Sequence, residues 1–121
     1  MKSFWQKYAD VWSTADERDS ALKSVVDENV RYRDPTNTRT GIRQFSDYMS
    51  SFQKAVPGGR FIIHEAFEHN DRTLSRWSLL DSTGTVLQNG ISFAVVGENK
   101  KFTEITGFFL PQDTSEDKGT K

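Results

Sequence analysis

Apolar residues in the first half of the chain recur with the period of an α-helix. In segment 4–12 the aromatic and branched residues occupy positions i, i+1, i+4, i+7 and i+8, which puts them on one stripe of a helix. The same kind of spacing returns over 21–26 and over 42–56, where Pro57-Gly58-Gly59 ends it. We therefore predict three helices, the third of which opens at Gly41.

From Arg60 onward the apolar period changes to two, as in β-strands. Four strands are predicted over 60–69, 73–81, 86–96 and 102–110, and the turns between them are short enough for hairpins. A short strand over 30–34 stops at a proline, and the polar segment 36–40 is interpreted as a loop. This order predicts an α+β fold shaped as a half-open cone. Three N-terminal helices pack in the concavity of a curved, mainly antiparallel sheet.

The length of 121 residues indicates a single domain, which we place at 1–110. Residues 111–121 are polar and are predicted to form a disordered tail. The net charge of −1, with both signs interspersed, gives no basic face for nucleic acid and no polybasic run for a membrane surface. No apolar stretch reaches the length of a membrane helix, and the first residues lack the pattern of a secretory signal. We predict a cytoplasmic protein with neither nucleic-acid nor membrane partners.

Metal and cofactor sites are not indicated by the residue types present. The chain has no cysteine, which excludes disulfides and thiolate ligands. His64 and His69 are five residues apart on one predicted strand and should face opposite sides of the sheet. Glu65 shares a face with His69, but one carboxylate and one imidazole fall short of a metal site. A glycine-rich phosphate loop is also missing from the sequence, so we predict no metal and no cofactor.

Two predicted strands are apolar on both of their alternating faces, within 91–96 and 105–110. One face must cover the helices, so the other would be exposed in a monomer, and exposed patches of this kind usually mark an interface. We predict a homodimer that associates through the sheet. The alternative is that these residues contact only the chain's own helices and tail.

The element order, combined with several short motifs, resembles the nuclear transport factor 2-like superfamily, and within it the SnoaL-like branch of small bacterial proteins. The similarity runs over about residues 3–110. The motifs that carry it are Trp12-Ser13-Thr14, Val30-Arg31-Tyr32-Arg33-Asp34-Pro35, Gly41-Ile42, His69, Arg76-Trp77 and Ile105-Thr106-Gly107-Phe108-Phe109. The resemblance implies the cone-shaped fold, a cystatin-like α+β roll. It leaves the activity open, because this superfold carries isomerases, cyclases, epoxide hydrolases, dehydratases and binding modules without catalysis.

Among catalytic relatives the local pattern is similar to ketosteroid isomerase. In that family a strand ends in Asp-Pro and a glycine then opens a helix, as at Asp34 and Gly41 here. The resemblance implies that Asp34 occupies the position of the proton-shuttling base and Tyr8 that of the oxyanion tyrosine. Ile91 replaces a second oxyanion residue, a protonated aspartate, and losing one such donor typically costs about 10²–10³ in rate. Steroid isomerisation is therefore not expected.

Asp34 has two interpretations on the residues alone. It shares a strand face with Tyr32 and should point toward the helices. An apolar cavity there would raise its pKa and make it a usable general base. Alternatively, it caps the turn before Pro35 or pairs with a neighbouring arginine. Tyr8 is likewise either a hydrogen-bond donor or plain core.

The leading hypothesis is a small-molecule-binding protein with an apolar pocket beside Asp34. The predicted lining is Trp12, Tyr32, Phe52, Trp77, Ile91, Phe93 and Phe109. Such a pocket fits a small apolar or polycyclic ligand. As an enzyme the protein would be a cofactor-free isomerase or polyketide cyclase-type enzyme, with Asp34 as base and Tyr8 as donor. The alternatives are a non-catalytic ligand-binding or dimerisation module and, third, epoxide hydrolase-like activity using Asp34 with Arg76.

Overall fold

The computed structural model describes residues 1–111, so the predicted tail lies outside the described residues apart from its first position. The elements in chain order are α1 (Lys2–Val11), α2 (Arg18–Lys23), β1 (Val26–Asp34), β2 (Asn37–Thr40), α3 (Gly41–Ala55), β3 (Arg60–His69), β4 (Arg72–Leu80), β5 (Val86–Val96) and β6 (Phe102–Phe109). The strands form one curved, unclosed sheet in the order β2-β1-β6-β5-β4-β3. All neighbouring strands are antiparallel except β1 and β6, which are parallel. The predicted α+β fold is confirmed.

The sheet extends beyond the prediction at its β1–β2 edge. Strand β1 begins at Val26 rather than at residue 30, and the segment predicted as a loop is strand β2. Asp34 pairs with Asn37, so that only two residues form the hairpin turn between the strands. The prediction was wrong because β2 is an edge strand, and an edge strand can be short and polar when no second neighbour covers it. This hairpin fixes Asp34 at the end of β1.

Helices α1 and α3 occupy the concave side of the sheet and complete the core there. Trp5 of α1 packs on Phe102 of β6, with ring centroids 4.6 Å apart. The Trp5 indole N–H also donates to Thr73 Oγ1 at 2.8 Å. Gln6 fixes the same helix on β3, because its side chain donates to the Phe61 carbonyl and accepts from the Ile63 amide. The aromatic stripe of α1 is thereby held over the sheet. None of the helices within 1–111 is long and apolar enough to cross a membrane.

A row of apolar side chains crosses the convex face of the sheet. Phe67 of β3 pairs with Leu74 of β4, and Leu74 pairs with Phe93 of β5. Phe93 contacts Phe108 of β6 edge-on, with ring centroids 5.9 Å apart. The exposed fractions of Phe67, Phe93 and Phe108 are 57%, 47% and 49%. We call these four residues the convex row. They are aromatic or aliphatic side chains on a surface that no element of the described chain covers.

Candidate functional site

A cavity of about 280 Å³ lies between the helices and the concave face of the sheet. Its wall is largely aromatic and consists in part of Trp5, Tyr8, Trp12, Tyr32, Tyr48, Phe52, Phe61, Trp77 and Phe109. Its polar lining residues include Asp34, Ser75 and Ser92. Of the described residues that line the cavity, Asp34 alone carries a formal charge. Because no cationic side chain is present to balance an anion in this lining, the cavity is poorly suited to an anionic molecule.

The structure places five of the seven predicted lining residues around this cavity, namely Trp12, Tyr32, Phe52, Trp77 and Phe109. Ile91 and Phe93 were placed there wrongly, since they lie on the other face of β5. The register explains the error. Gly90 faces Trp77, and a Cβ on Gly90 would lie only 2.1 Å from Trp77 Cζ2. Gly90 and Ser92 therefore face inward, whereas Ile91 and Phe93 face outward.

Asp34 lies at the cavity wall with both carboxylate oxygens hydrogen-bonded. Oδ2 accepts from the hydroxyls of Tyr32 at 2.6 Å and Tyr48 at 2.7 Å. Oδ1 accepts from the Thr36 amide and hydroxyl and from the Asn37 amide, at 2.9–3.0 Å. Asp34 thus caps the hairpin turn and lines the cavity at the same time. No arginine of residues 1–111 forms an ion pair with it.

The hydrogen bonds decide the ionisation of Asp34. Its burial opposes the charged form, but the donors Tyr32, Tyr48 and Thr36 outweigh burial and lower the pKa of Asp34. The expectation that an apolar cavity would raise this pKa was wrong, because it left out the three donors. The carboxylate is therefore ionised at neutral pH. It is available as a proton acceptor, although a weaker base than an aspartate with a raised pKa.

The tyrosines around the cavity remain protonated. Burial raises the pKa of Tyr8, and a hydrogen bond from the Trp12 side chain offsets only part of this effect. Burial also raises the pKa values of Tyr32 and Tyr48. The hydroxyl protons of Tyr32 and Tyr48 are already donated to Asp34. Tyr8 lines the same cavity as a neutral phenol, which is the form that a hydrogen-bond donor requires.

Arg76 lies away from this site. It is on the convex face, where its Nε contacts Glu65 Oε2 at 2.6 Å, and it is not among the lining residues. The combination of Asp34 with Arg76 on which the epoxide hydrolase alternative rested is therefore not formed.

The histidines have separate partners. A β-bulge between Ile63 and Glu65 interrupts the alternation of side chains along β3. The prediction that His64 and His69 face opposite sides of the sheet depended on that alternation. His64 Nε2 lies 2.7 Å from Ser78 Oγ, whereas His69 Nδ1 lies 3.1 Å from Asn70 Nδ2. Within the described chain no three His, Asp or Glu side chains come together as a metal site would require.

Two serines of the cavity were missed by the sequence analysis. Ser75 of β4 and Ser92 of β5 are buried, line the cavity and pair with each other in register. A signal for Ser75 was available, because residues two apart on a strand share a face and Trp77 was already placed in the pocket. Ser92 could not be assigned in this way, because the sequence did not show which residues of β5 point into the cavity.

The sequence profile described as the SnoaL-like domain matches residues 5–105. This chain belongs to that family. The resemblance on which the fold prediction partly rested is therefore confirmed. No curated protein matches the sequence.

Solved structures of SnoaL-like and related proteins share the fold. A protein from Agrobacterium tumefaciens, provisionally assigned as an isomerase of the SnoaL-like family, superposes with a TM-score of 0.84 at 21% identity over 90% of this chain and 96% of that one. A provisionally assigned SnoaL-like polyketide cyclase from a Jannaschia species gives 0.72 at 11% identity over 88% and 83%. A Catenulispora acidiphila protein of ketosteroid isomerase-like fold, in complex with trimethylamine, gives 0.70 at 14% over 86% and 82%. At these identities the likeness shows the fold alone.

Proposed function

We propose that this SnoaL-like protein binds an uncharged, largely apolar carbonyl compound in its cavity and catalyses a cofactor-independent proton transfer on it. The reaction class is that of an isomerase or a polyketide cyclase-type enzyme. The observation that carries the proposal is the ionised Asp34 carboxylate at the wall of an otherwise uncharged aromatic cavity. The names of the Agrobacterium and Jannaschia relatives support the same class.

The proposed step begins with removal of a proton from the carbon next to the ligand carbonyl. The proton passes to Asp34, the C–H electron pair forms a carbon–carbon double bond, and the carbonyl π pair moves onto oxygen. Tyr8, as a neutral phenol, donates to that oxyanion. Because Tyr32 and Tyr48 lower the pKa of Asp34, the protonated acid readily gives its proton back to another carbon. In a cyclase-type reaction the same enolate carbon would instead attack a second carbonyl of the ligand.

A second candidate function is ligand binding without catalysis. The five hydrogen bonds to Asp34 favour it, because they occupy both carboxylate oxygens before any ligand is present. In that case Asp34 holds the hairpin and shapes the cavity wall, and proton exchange on a bound ketone does not exceed that in solution.

Solvent deuterium exchange separates the two candidates. We expect the protein in D₂O to accelerate exchange of the α-protons of β-tetralone, an uncharged bicyclic ketone, as followed by proton NMR. Since the pKa of Asp34 lies below the ordinary aspartate value, the protein-dependent rate should be flat from about pH 8 down to about pH 5 and fall only under more acidic conditions. The control is the buffer-catalysed rate at each pH. Binding without acceleration would leave only the second candidate.

We further propose that the protein forms a homodimer through the convex face. The convex row is continuous across four strands, and two ion pairs lie on the same face, Arg76 with Glu65 and Arg31 with Glu104. An apolar surface of this kind can bury itself against a second copy related by a twofold axis.

Phe93→Asp tests the dimer. We expect the unaltered protein to elute as a dimer in size-exclusion chromatography with light scattering. The variant should be monomeric, because each copy would bring a carboxylate into the apolar contact. Val86→Asp is the matched control, since Val86 is also an exposed apolar residue of β5 but lies outside the convex row. A monomeric parent protein, or a Phe93→Asp variant that still dimerises, would contradict this surface as the interface.

A further inference from the structure

The buried hydroxyl of Ser75 has no hydrogen-bond partner among residues 1–111. Ser75 lies in β4 on the concave face, its exposed fraction is 0%, and it lines the cavity. Its Oγ makes no hydrogen bond in the described chain. Buried hydroxyls are nearly always satisfied, and an unsatisfied one destabilises the fold. An acceptor atom of a molecule bound in the cavity would satisfy it.

Ser92 supplies a second hydroxyl at the same place. It is directly opposite Ser75 on the neighbouring strand, and the Cβ atoms of residues paired in this way lie about 5 Å apart. Ser92 Oγ accepts a hydrogen bond from the Trp77 indole N–H at 2.9 Å. A serine that accepts in this way keeps its own proton for donation. Two hydroxyl groups therefore lie at paired positions of neighbouring strands in the cavity wall.

Gly107 connects this serine pair to Asp34. It pairs with Ser92 on the next strand. A Cβ placed on Gly107 would lie 3.5 Å from Ser92 Oγ, 3.7 Å from Asp34 Cβ and 3.9 Å from the Tyr32 hydroxyl. The missing side chain leaves a gap about one carbon wide between the Ser92 hydroxyl and the Asp34 side chain. An oxygen held by the serines would place its neighbouring carbon toward Asp34.

We propose that Ser75 and Ser92 form the anchor for the acceptor oxygen of the ligand, and that this oxygen is an uncharged ketone oxygen. The proposal rests on the proposed function and deepens it, because it names the donors that orient the carbonyl. A carboxylate or phosphate ligand is disfavoured at this anchor, since Asp34 lies across the gap from it and is ionised. The serines supplement Tyr8 as donors and occupy the part of the wall where Ile91 had been expected.

The test compares β-tetralone with tetralin, which has the same bicyclic skeleton without the oxygen. Binding is followed by tryptophan fluorescence, because all three tryptophans of the chain line the cavity. We expect Ser75→Ala to weaken β-tetralone binding about fivefold to tenfold and to leave tetralin binding unchanged. Ser78→Ala is the matched control. Ser78 is a buried serine of the same strand, but it bonds to His64 and Asn89 and does not line the cavity.

The Gly107→Ala variant provides a second test, in which the hydroxyls of Ser75 and Ser92 are both retained. It fills the gap without a steric clash, and it should abolish the preference for β-tetralone over tetralin. If Ser75→Ala weakens both ligands equally, or neither, the anchor is overturned while cavity binding stands. If the unaltered protein binds tetralin as tightly as β-tetralone, the anchor is again overturned. If it binds neither molecule, the anchor and the proposed function fail together.

Discussion

Asp34→Asn is expected to slow the protein-catalysed α-proton exchange of β-tetralone by about 10²–10⁴ while changing its affinity little. The amide has the shape of the carboxylate, and its oxygen can still accept from the Thr36 and Asn37 amides that close the hairpin turn. It cannot take up a proton from carbon. The rate is measured by NMR in D₂O, and the affinity by tryptophan fluorescence on the same preparation.

Asp81→Asn is the matched control for this experiment. Asp81 also caps a turn, accepting from the amide and hydroxyl of Thr83 and from the Thr85 amide, and these hydrogen bonds lower its pKa as well. It does not line the cavity. We expect its exchange rate to equal that of the unaltered protein. If Asp34→Asn behaves in the same way, Asp34 is a turn cap of the Asp81 kind, and the catalytic role is lost.

Much of the fold could be predicted because the chain changes its apolar period at a clear point. The stripe on α1 and the period of two after Arg60 each match the structure. Strand β2 could not be found in this way. Its sequence, Asn37-Thr38-Arg39-Thr40, has no apolar residue, and it is specified instead by pairing with β1 across a two-residue turn. The periodicity of a single segment does not show which other strand that segment pairs with.

The sequence predicted which residue types line the candidate site better than it predicted which strand residues point into the cavity. Strand β5 carries apolar residues on both faces, so period two gives two possible assignments, and the inward one contains Gly90 and Ser92 rather than Ile91 and Phe93. The pKa of Asp34 was also out of reach. Burial raises it, and among the hydrogen bonds from Tyr32, Tyr48 and Thr36 that lower it, the one from Tyr48 comes from fourteen residues away and reaches the carboxylate only after α3 packs on the sheet.

Gly90 of β5 points toward Trp77, and we therefore expect Gly90→Ala to reduce the stability of the protein strongly. The added Cβ would lie 2.1–2.5 Å from three atoms of the Trp77 indole ring, so the ring must leave its position. Trp77 would then lose its hydrogen bond to Ser92 and its edge-on packing against Phe61, whose ring centroid lies 5.2 Å away. We expect the free energy of unfolding to fall by about 2–4 kcal/mol, as measured by urea denaturation followed by circular dichroism.

Gly107→Ala separates this steric effect from the general effect of adding a methyl group to an inward-facing glycine. The two glycines lie on adjacent strands of the same sheet, but the nearest atom to a Cβ on Gly107 is 3.5 Å away, an ordinary contact. Its unfolding free energy should stay within about 1 kcal/mol of the parent. Equal stabilities for the two variants would mean that the Trp77 ring does not lie over Gly90. Because that contact sets which residues of β5 face inward, the assignment of Ser92 to the cavity wall would then be withdrawn as well.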